Sequence, residues 1–441
     1  MITLGAMSVP EHSPLQFPPD FRWGTATSAH QVEGDNLHND WWAWEQQPGR
    51  IKNGDRSGRA CDWWDHAERD FDLAAKLHQN AHRLSVEWSR IQPAPDRWDE
   101  EAIGRYREML HALRQRGIQP MVTLHHFTNP LWFADRGGWE RDDAAMLFAR
   151  FVERVVPPLA EFADLWCTLN EPVGWAFSAY VSGIWPPGGR SIRRGLGALT
   201  QLLQGHAAAY RIVHRLQPQA QVGFANYFRL FDPANAASPF DRIVARQQDR
   251  FVNRAFIDGT AIGRVRAFPW VANVPEAAGT MDFVGVNYYT RDLVAFDLHR
   301  PKHLFGRNFT APGAPISDGE YGEIYPEGLY RVLQMAAEYR KPIFITENGL
   351  PDEDDDRRSD FIVSHLRQVW RAIHEGIPVR GYYHWSLVDN FEWAAGWSLK
   401  FGLIEVDPAT QTRTPRPSAS VYAEICGGGT VSFARLERFA R

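Results

Sequence analysis

Eight short apolar or β-branched runs, spread between residues 21 and 387, constrain the fold of this chain more than any other feature. Five come first: "FRWGTAT" from Phe21, "HRLSVEW" from His82, "PMVTLHH" from Pro120, "LWCTLNE" from Leu165 and "QVGFANY" from Gln221. Three follow: "DFVGVNYYT" from Asp282, "PIFITENG" from Pro342 and "VRGYYHWSL" from Val379. Each has strand length. Between them lie stretches of helical periodicity, such as 100–117, 143–163 and 359–376. Alternation of this kind implies a parallel sheet with right-handed crossovers, and eight units suffice to close a (β/α)8 barrel. An open doubly wound sheet would call for a Gly-rich nucleotide loop after the first strand, and "GTATSAHQVEG" from Gly24 does not match G-x-G-x-x-G. The expected architecture is therefore a single α/β (TIM) barrel domain over 1–441, with about 1–16 as a terminal extension.

Composition narrows the partners. The 441 residues are 44% hydrophobic and 23% charged, with no low-complexity tract or Ser/Gly linker, so a large core can be buried throughout. A net charge of -5 without a Lys/Arg cluster argues against nucleic acid or an anionic membrane, and a neutral ligand fits better. Eighteen Trp residues exceed what packing needs, and aromatic faces suit stacking on sugar rings. Cys61, Cys167 and Cys426 are odd in number and far apart, giving neither a disulfide framework nor metal-ligand spacing. With no Lys or Arg before Arg22 and no apolar run of about 18 residues, a signal peptide or membrane span is not expected, and the cytoplasm is the expected setting.

Two of the runs end anomalously. The fourth stops at Glu171, between Asn170 and Pro172, and the seventh at Glu347, before Asn348 and Gly349. An ionised Glu is seldom buried without a partner. In a barrel the catalytic groups sit at the carboxyl ends of the strands, so both carboxylates face one mouth. Two carboxylates supply what glycosidic cleavage requires: a proton for the leaving oxygen and a negative group facing the developing oxocarbenium ion. Arg83 alternates with Ser85 and Glu87 along the second run, which aims it into the barrel beside Glu347. Neighbouring His125 and His126 point to opposite faces of a strand, so no metal site is expected there.

The motifs "HQVEG", "TLNEP", "NYYT", "ITENG" and "HWSLVDNFEW" together resemble those of glycoside hydrolase family 1, the retaining β-glucosidases and their relatives, from about Phe17 to Ile425. The resemblance implies hydrolysis of terminal β-D-glucosyl, β-galactosyl or β-fucosyl residues with retained configuration, without a cofactor. It makes Glu171 the acid/base, Glu347 the nucleophile and Arg83 the partner of the nucleophile. Asn170 would bond the sugar 2-OH. Gln31, His126, Glu392 and Trp393 would bind other hydroxyls, Trp385 would lie beneath the ring, and Asn287 and Tyr289 would flank the nucleophile.

One departure stands out: Phe127 occupies a place where Trp is common, so an indole N–H donor is lost. A sulfur-glycosidase would carry Gln in place of Glu171, and a non-catalytic carbohydrate-binding relative would lack one carboxylate. The closer rival is a 6-phospho-β-glycosidase, whose phosphate ligands are Ser, Lys and Tyr where this chain has Glu392, Leu399 and Phe401; Lys400 lies one residue out of register. The acidic run "DEDDDRR" from Asp352 is expected to be a solvated loop before a helix.

Overall fold

The computed structural model describes residues 14–267 and 270–432. Eight parallel strands form the barrel: β1 Arg22–Ala26, β2 Ala81–Ser85, β3 Gln119–Thr123, β4 Leu165–Asn170, β5 Gln221–Pro233, β6 Phe283–Phe296, β7 Ile343–Asn348 and β8 Val379–Trp385. Each strand pairs with the next in sequence, β8 pairs with β1, and the sheet is thereby closed. The far end of β6 carries one antiparallel addition, Gly306–Phe309. The expected TIM barrel is thus the observed one.

A long helix follows each strand: α1 Trp63–Lys76, α2 Glu100–Gln115, α3 Ala144–Leu159, α4 Ile192–Leu216, α5 Pro239–Asp249, α6 Pro326–Ala337, α7 Arg358–His374 and α8 Pro417–Gly428. In α2, Asp99 caps the first turn by accepting from Ala102 N, and Ile103, Tyr106, Leu110 and Leu113 fall on one buried stripe. Such stripes cover the outward side chains of the strands, among them Leu84, Val284, Val286, Ile343 and Ile345. Inward positions form a separate core: Ala26, Ala81, Met121, Leu165, Cys167, Ala225, Phe283 and Phe344. These small and large side chains plug the barrel axis below the polar groups gathered at the carboxyl ends of the strands.

Two register shifts aim the key residues inward. Along β7, Phe344 lies opposite Gly285 and Ile345 opposite Val286, but Glu347 lies opposite Asn287. Thr346 is therefore an extra residue, and without this bulge Glu347 would face outward with Ile343 and Ile345. Along β4 the steps from Cys167 to Asn170 match only Gly223 to Ala225 on β5, which turns Asn170 inward in the same way. Beyond β7 the chain passes so close to β8 that a Cβ on Gly349 would sit 1.9 Å from the Trp385 carbonyl oxygen, so only glycine fits.

The ends of the described chain meet. Leu15–Gln16 pairs antiparallel with Thr430–Val431, so the last residues of the expected extension are part of the fold, while 1–13 lie outside the described residues. Among the described residues no helix is long and apolar enough to cross a membrane.

The acidic run departs from the expected solvated loop. Asp352 is fully buried and accepts from the Arg357 and Arg358 backbone N–H groups at 3.1 and 2.8 Å. Asp355 takes the buried Arg358 guanidinium and Ser418. The unpaired N–H groups at the start of α7 draw in Asp352 and those at the start of α8 draw in Asp355, and within the acidic run only Glu353, Asp354 and Asp356 stay exposed. Asp352, Asp354 and Asp356 bring carboxylate oxygens within 4.8 Å of one another, with Arg357 Nε 2.9 Å from Asp356 and 3.6 Å from Asp352 as their counter-ion.

Candidate active site

At the carboxyl end of the barrel a cavity of about 260 Å³ is lined by Glu171 and Glu347 together with His126, Asn170, Tyr289, Trp385, Glu392 and Trp393. A larger depression of about 570 Å³, walled by Trp64, Arg90 and Arg105, holds none of these groups.

Glu347, the penultimate residue of β7, is buried and held on both oxygens. Arg83 Nη1 donates to Oε1 at 2.5 Å and the Tyr289 hydroxyl donates to Oε2 at 2.7 Å. Arg83 comes from the inward row of β2 and is itself enclosed, donating through Nε to Thr123 Oγ1 at 3.0 Å and through Nη2 to Asn170 Oδ1 at 2.6 Å. A planar guanidinium with all its bonds made fixes the carboxylate in direction as well as charge.

Glu171 is built differently. It follows β4 in a left-handed conformation, φ 43° and ψ 54°, uncommon for a residue other than glycine, immediately before the short turn Pro172–Ala176. Its N–H donates to Ala225 O at 2.8 Å, and its carboxylate accepts one neutral donor, Asn287 Nδ2, at 2.8 Å. Four hydrogen bonds link the two carboxylates: Glu171 to Asn287, Asn287 to Asn170, Asn170 to Arg83 and Arg83 to Glu347.

These surroundings separate the two acids. Burial pushes Glu171 up, the Glu347 charge adds to this and the Asn287 and Arg83 contacts oppose it, bringing it to about 8. Burial raises Glu347 as well, but the Arg83 cation and the Tyr289 hydroxyl favour its charged form. The proton shared by this pair therefore resides on Glu171.

His126 is held neutral, well below the usual imidazole range, by burial and then by the positive charge of Arg83. Asn170 Oδ1 accepts from Arg83 and from Asn287, so its Nδ2 must donate to His126 Nε2, at 3.1 Å. Nε2 is then the acceptor, and Nδ1 carries the proton, buried and without a protein partner. Glu392 is pushed up to about 8 by burial and then by the Glu347 charge. Gln31 is fully buried behind it, donating through Nε2 to Glu392 at 3.1 Å and to Asn390 at 2.8 Å while its Oε1 accepts from Ser28 at 2.6 Å. Gln31 thus reaches the cavity through Glu392, whose orientation it sets. Trp385 ends β8, with its ring 6.0 Å from that of His126 and 25° from parallel. Trp393 stacks on His126 from another side, at 6.1 Å and 16°.

Two aromatic lining residues escaped the sequence reading. Trp185 and Tyr321 come from loops, in "GIWPPGG" and "DGEYGE", where a large aromatic amid Gly and Pro was the available signal. Thr123 and Thr346, which bond Arg83 and Asn287, carry no signal beyond their place at a strand end.

A protonated carboxyl and an ion-paired carboxylate facing one cavity can protonate a leaving group and attack the carbon it leaves. Residues 13–428 match the family described as Glycosyl hydrolase family 1. Beta-glucosidase A of Thermotoga maritima is 32% identical over 439 residues, covering 93% of this chain and 97% of its own. A beta-galactosidase of Saccharolobus solfataricus is 31% identical, covering 94% and 96%. The solved beta-glycosidase from Pyrococcus horikoshii superposes with a TM-score of 0.92 at 38% identity, over 97% of this chain and 99% of that one. The beta-glucosidase from Thermotoga maritima in complex with glucoimidazole gives 0.89 at 30% identity, over 94% and 99%. The chain belongs to glycosyl hydrolase family 1.

Proposed function

We propose that this enzyme removes terminal non-reducing β-D-glucosyl residues, and β-galactosyl or β-fucosyl residues in the same pocket, by double displacement with Glu347 as nucleophile and Glu171 as acid/base. The observation that carries the reading is the asymmetry of the pair: a carboxylate tied to Arg83 at 2.5 Å beside a carboxyl bonded only to an amide and pushed up to about 8.

In the first step Glu347 attacks the anomeric carbon while Glu171 gives its proton to the departing glycosidic oxygen, so one C–O bond forms as the other breaks. Esterification removes the charge of Glu347, and with it the repulsion that holds the Glu171 proton. Glu171 then takes a proton from water as that water attacks the same carbon and expels Glu347. Two inversions give net retention, which requires carboxyl groups about 5 to 5.5 Å apart. In this reading Asn170, bonded to Arg83 and Asn287, meets the 2-OH, and Trp385 lies beneath the ring. His126, Glu392 and Trp393 supply further contacts to hydroxyls. A cavity of about 260 Å³ suits one neutral sugar, in keeping with relatives named beta-glucosidase and beta-galactosidase.

The chain works as one barrel domain, a reading supported by the pairing of Leu15–Gln16 with Thr430–Val431. Three buried free thiols support a reducing compartment, the cytoplasm.

Glu347→Ala tests the assignment. Turnover should fall by roughly 10⁴- to 10⁶-fold, and azide or formate in the vacated space should restore part of it with an α-configured product. Near-parental turnover in the variant would remove Glu347 from the mechanism.

A further inference from the structure

Hydrogen bonds run from the extra residue of the β7 bulge to Glu171, and the role of each atom along them is forced. Arg83 has donors only, so Asn170 Oδ1, 2.6 Å from its Nη2, accepts. The Asn287 atom 3.1 Å from that same Oδ1 must then be the amide nitrogen, Nδ2. This leaves Asn287 Oδ1, an acceptor, facing Thr346 Oγ1 at 2.7 Å, so the Thr346 hydroxyl gives its single proton there. Both residues are fully buried. Nδ2 gives its second N–H to Glu171 Oε1 at 2.8 Å. The bulge makes the contact possible: Thr346 stands between Ile345, opposite Val286, and Glu347, opposite Asn287, and has no opposite number of its own. Its carbonyl oxygen accepts from Arg83 Nη1 at 3.3 Å. One residue thus touches both Arg83, which holds Glu347, and Asn287, which holds Glu171.

The consequence falls on the acid proton. A carboxyl group accepts best through its carbonyl oxygen, and Oε1 is the oxygen that accepts from Asn287, so the proton of Glu171 is carried on Oε2. Among the described residues no group bonds Oε2, which leaves it for the cavity that Glu171 lines. Resting on the assignment of Glu171 as the acid, we propose that Thr346 is a positioning residue: by fixing the Asn287 amide it directs the acid proton to the oxygen that faces the leaving group. Without that hydroxyl, Asn287 Oδ1 is stranded in a buried place and the amide turns toward another donor. Glu171 Oε1 then loses its N–H or meets the amide oxygen instead. The proton moves to Oε1, away from the departing glycosidic oxygen.

The test is kcat/KM, which reports the step in which the acid gives up its proton, for phenyl and 2,4-dinitrophenyl β-glucoside on the parent enzyme, Thr346→Val, Thr346→Ser and Glu171→Gln. Phenolate leaves slowly without a proton, whereas dinitrophenolate needs none. Thr346→Val should lower the phenyl glucoside by about 10-fold or more and keep the dinitrophenyl glucoside within about 3-fold of the parent. Thr346→Ser, which retains the hydroxyl, should hold both substrates within about 3-fold. Thr346→Ala removes the same hydroxyl and takes the place of a Val variant that fails to fold. Equal losses on the two substrates, no loss on either, or a Ser variant as impaired as the Val variant would overturn the proposal. Glu171→Gln separates this failure from that of the underlying reading. If it lowers both substrates equally, the acid assignment itself falls; if it lowers only the phenyl glucoside while Thr346→Val spares both, the role of Thr346 alone is wrong.

Discussion

Glu171 and Glu347 are chemically identical side chains whose neighbours divide the work. One has a guanidinium at 2.5 Å; the other has an amide at 2.8 Å and a second carboxylate nearby. The division has a pH signature. As the proposed acid Glu171 must be protonated, so kcat/KM should fall as pH rises through about 8. In Glu171→Gln, assayed with an activated phenolate leaving group that needs no proton, this limb should disappear. A limb that persists would point to Glu392, also near 8. Stability should follow the same proton. A carboxyl raised from an ordinary 4.5 to about 8 adds stability below 4.5 and loses it progressively as pH rises through 8. Glu171→Gln should therefore gain in Tm relative to the parent between pH 5 and pH 8.5. A gap independent of pH would show that Glu171 is not raised in the folded state.

Strands and loops set these neighbours. Strand existence was readable because most inward and outward positions are apolar, which leaves short runs of β-branched, aromatic and other apolar residues between helical stretches. The helix expected over 143–163 ends at Leu159, and those expected over 100–117 and 359–376 differ from α2 and α7 by one or two residues at their ends. The bulges at Thr346 and before Asn170 were not readable, because the extra residue is defined only against the neighbouring strand. Nor was the burial of Asp352, which depends on where α7 begins, or the place of Gln31, whose amide is fully used by Ser28, Asn390 and Glu392. Four of the quoted motifs, those of Glu171, Tyr289, Glu347 and Glu392, do meet at one cavity, because each lies at the carboxyl end of a strand, whereas "HQVEG" reaches it only through the bond from Gln31 to Glu392. The loop after β8 carries a further consequence. Leu399 lines the cavity, and Phe401 packs against Tyr321 at 5.3 Å and Tyr289 at 6.2 Å. The Lys400 ammonium lies 5.9 Å from the Trp397 ring centre, and its carbonyl binds Asp352 N and Arg358. A sugar 6-phosphate would thus meet apolar side chains beside Glu392. Ionised, Glu392 repels it; protonated, it offers one hydrogen bond and no charge. Hydrolysis of p-nitrophenyl β-glucoside should exceed that of its 6-phosphate by about 100-fold or more, which for a site able to hydrogen-bond one sugar and not the other is an ordinary ratio. Comparable kcat/KM values would mean that a cation reaches this loop after all.

Closing the barrel joins residues far apart in sequence. Arg83 meets Glu347 across 264 positions, and Gln31 meets Glu392 across 361. Because the carboxylates stand on β4 and β7, separate parts of one closed sheet, their spacing is a property of the barrel and not of a mobile loop. The strap between Leu15–Gln16 and Thr430–Val431 ties the ends of the described chain together. In such a frame the spacing decides the stereochemistry. A gap of about 5 to 5.5 Å gives a covalent glycosyl-enzyme and retention, whereas roughly 6.5 to 9.5 Å admits an inverting water. The most direct measurement is proton NMR of the sugar released in the first minutes of β-glucoside hydrolysis, before mutarotation. Double displacement through Glu347 predicts that the β-anomer appears first and the α-anomer grows in later; an α-anomer signal present from the start would contradict it.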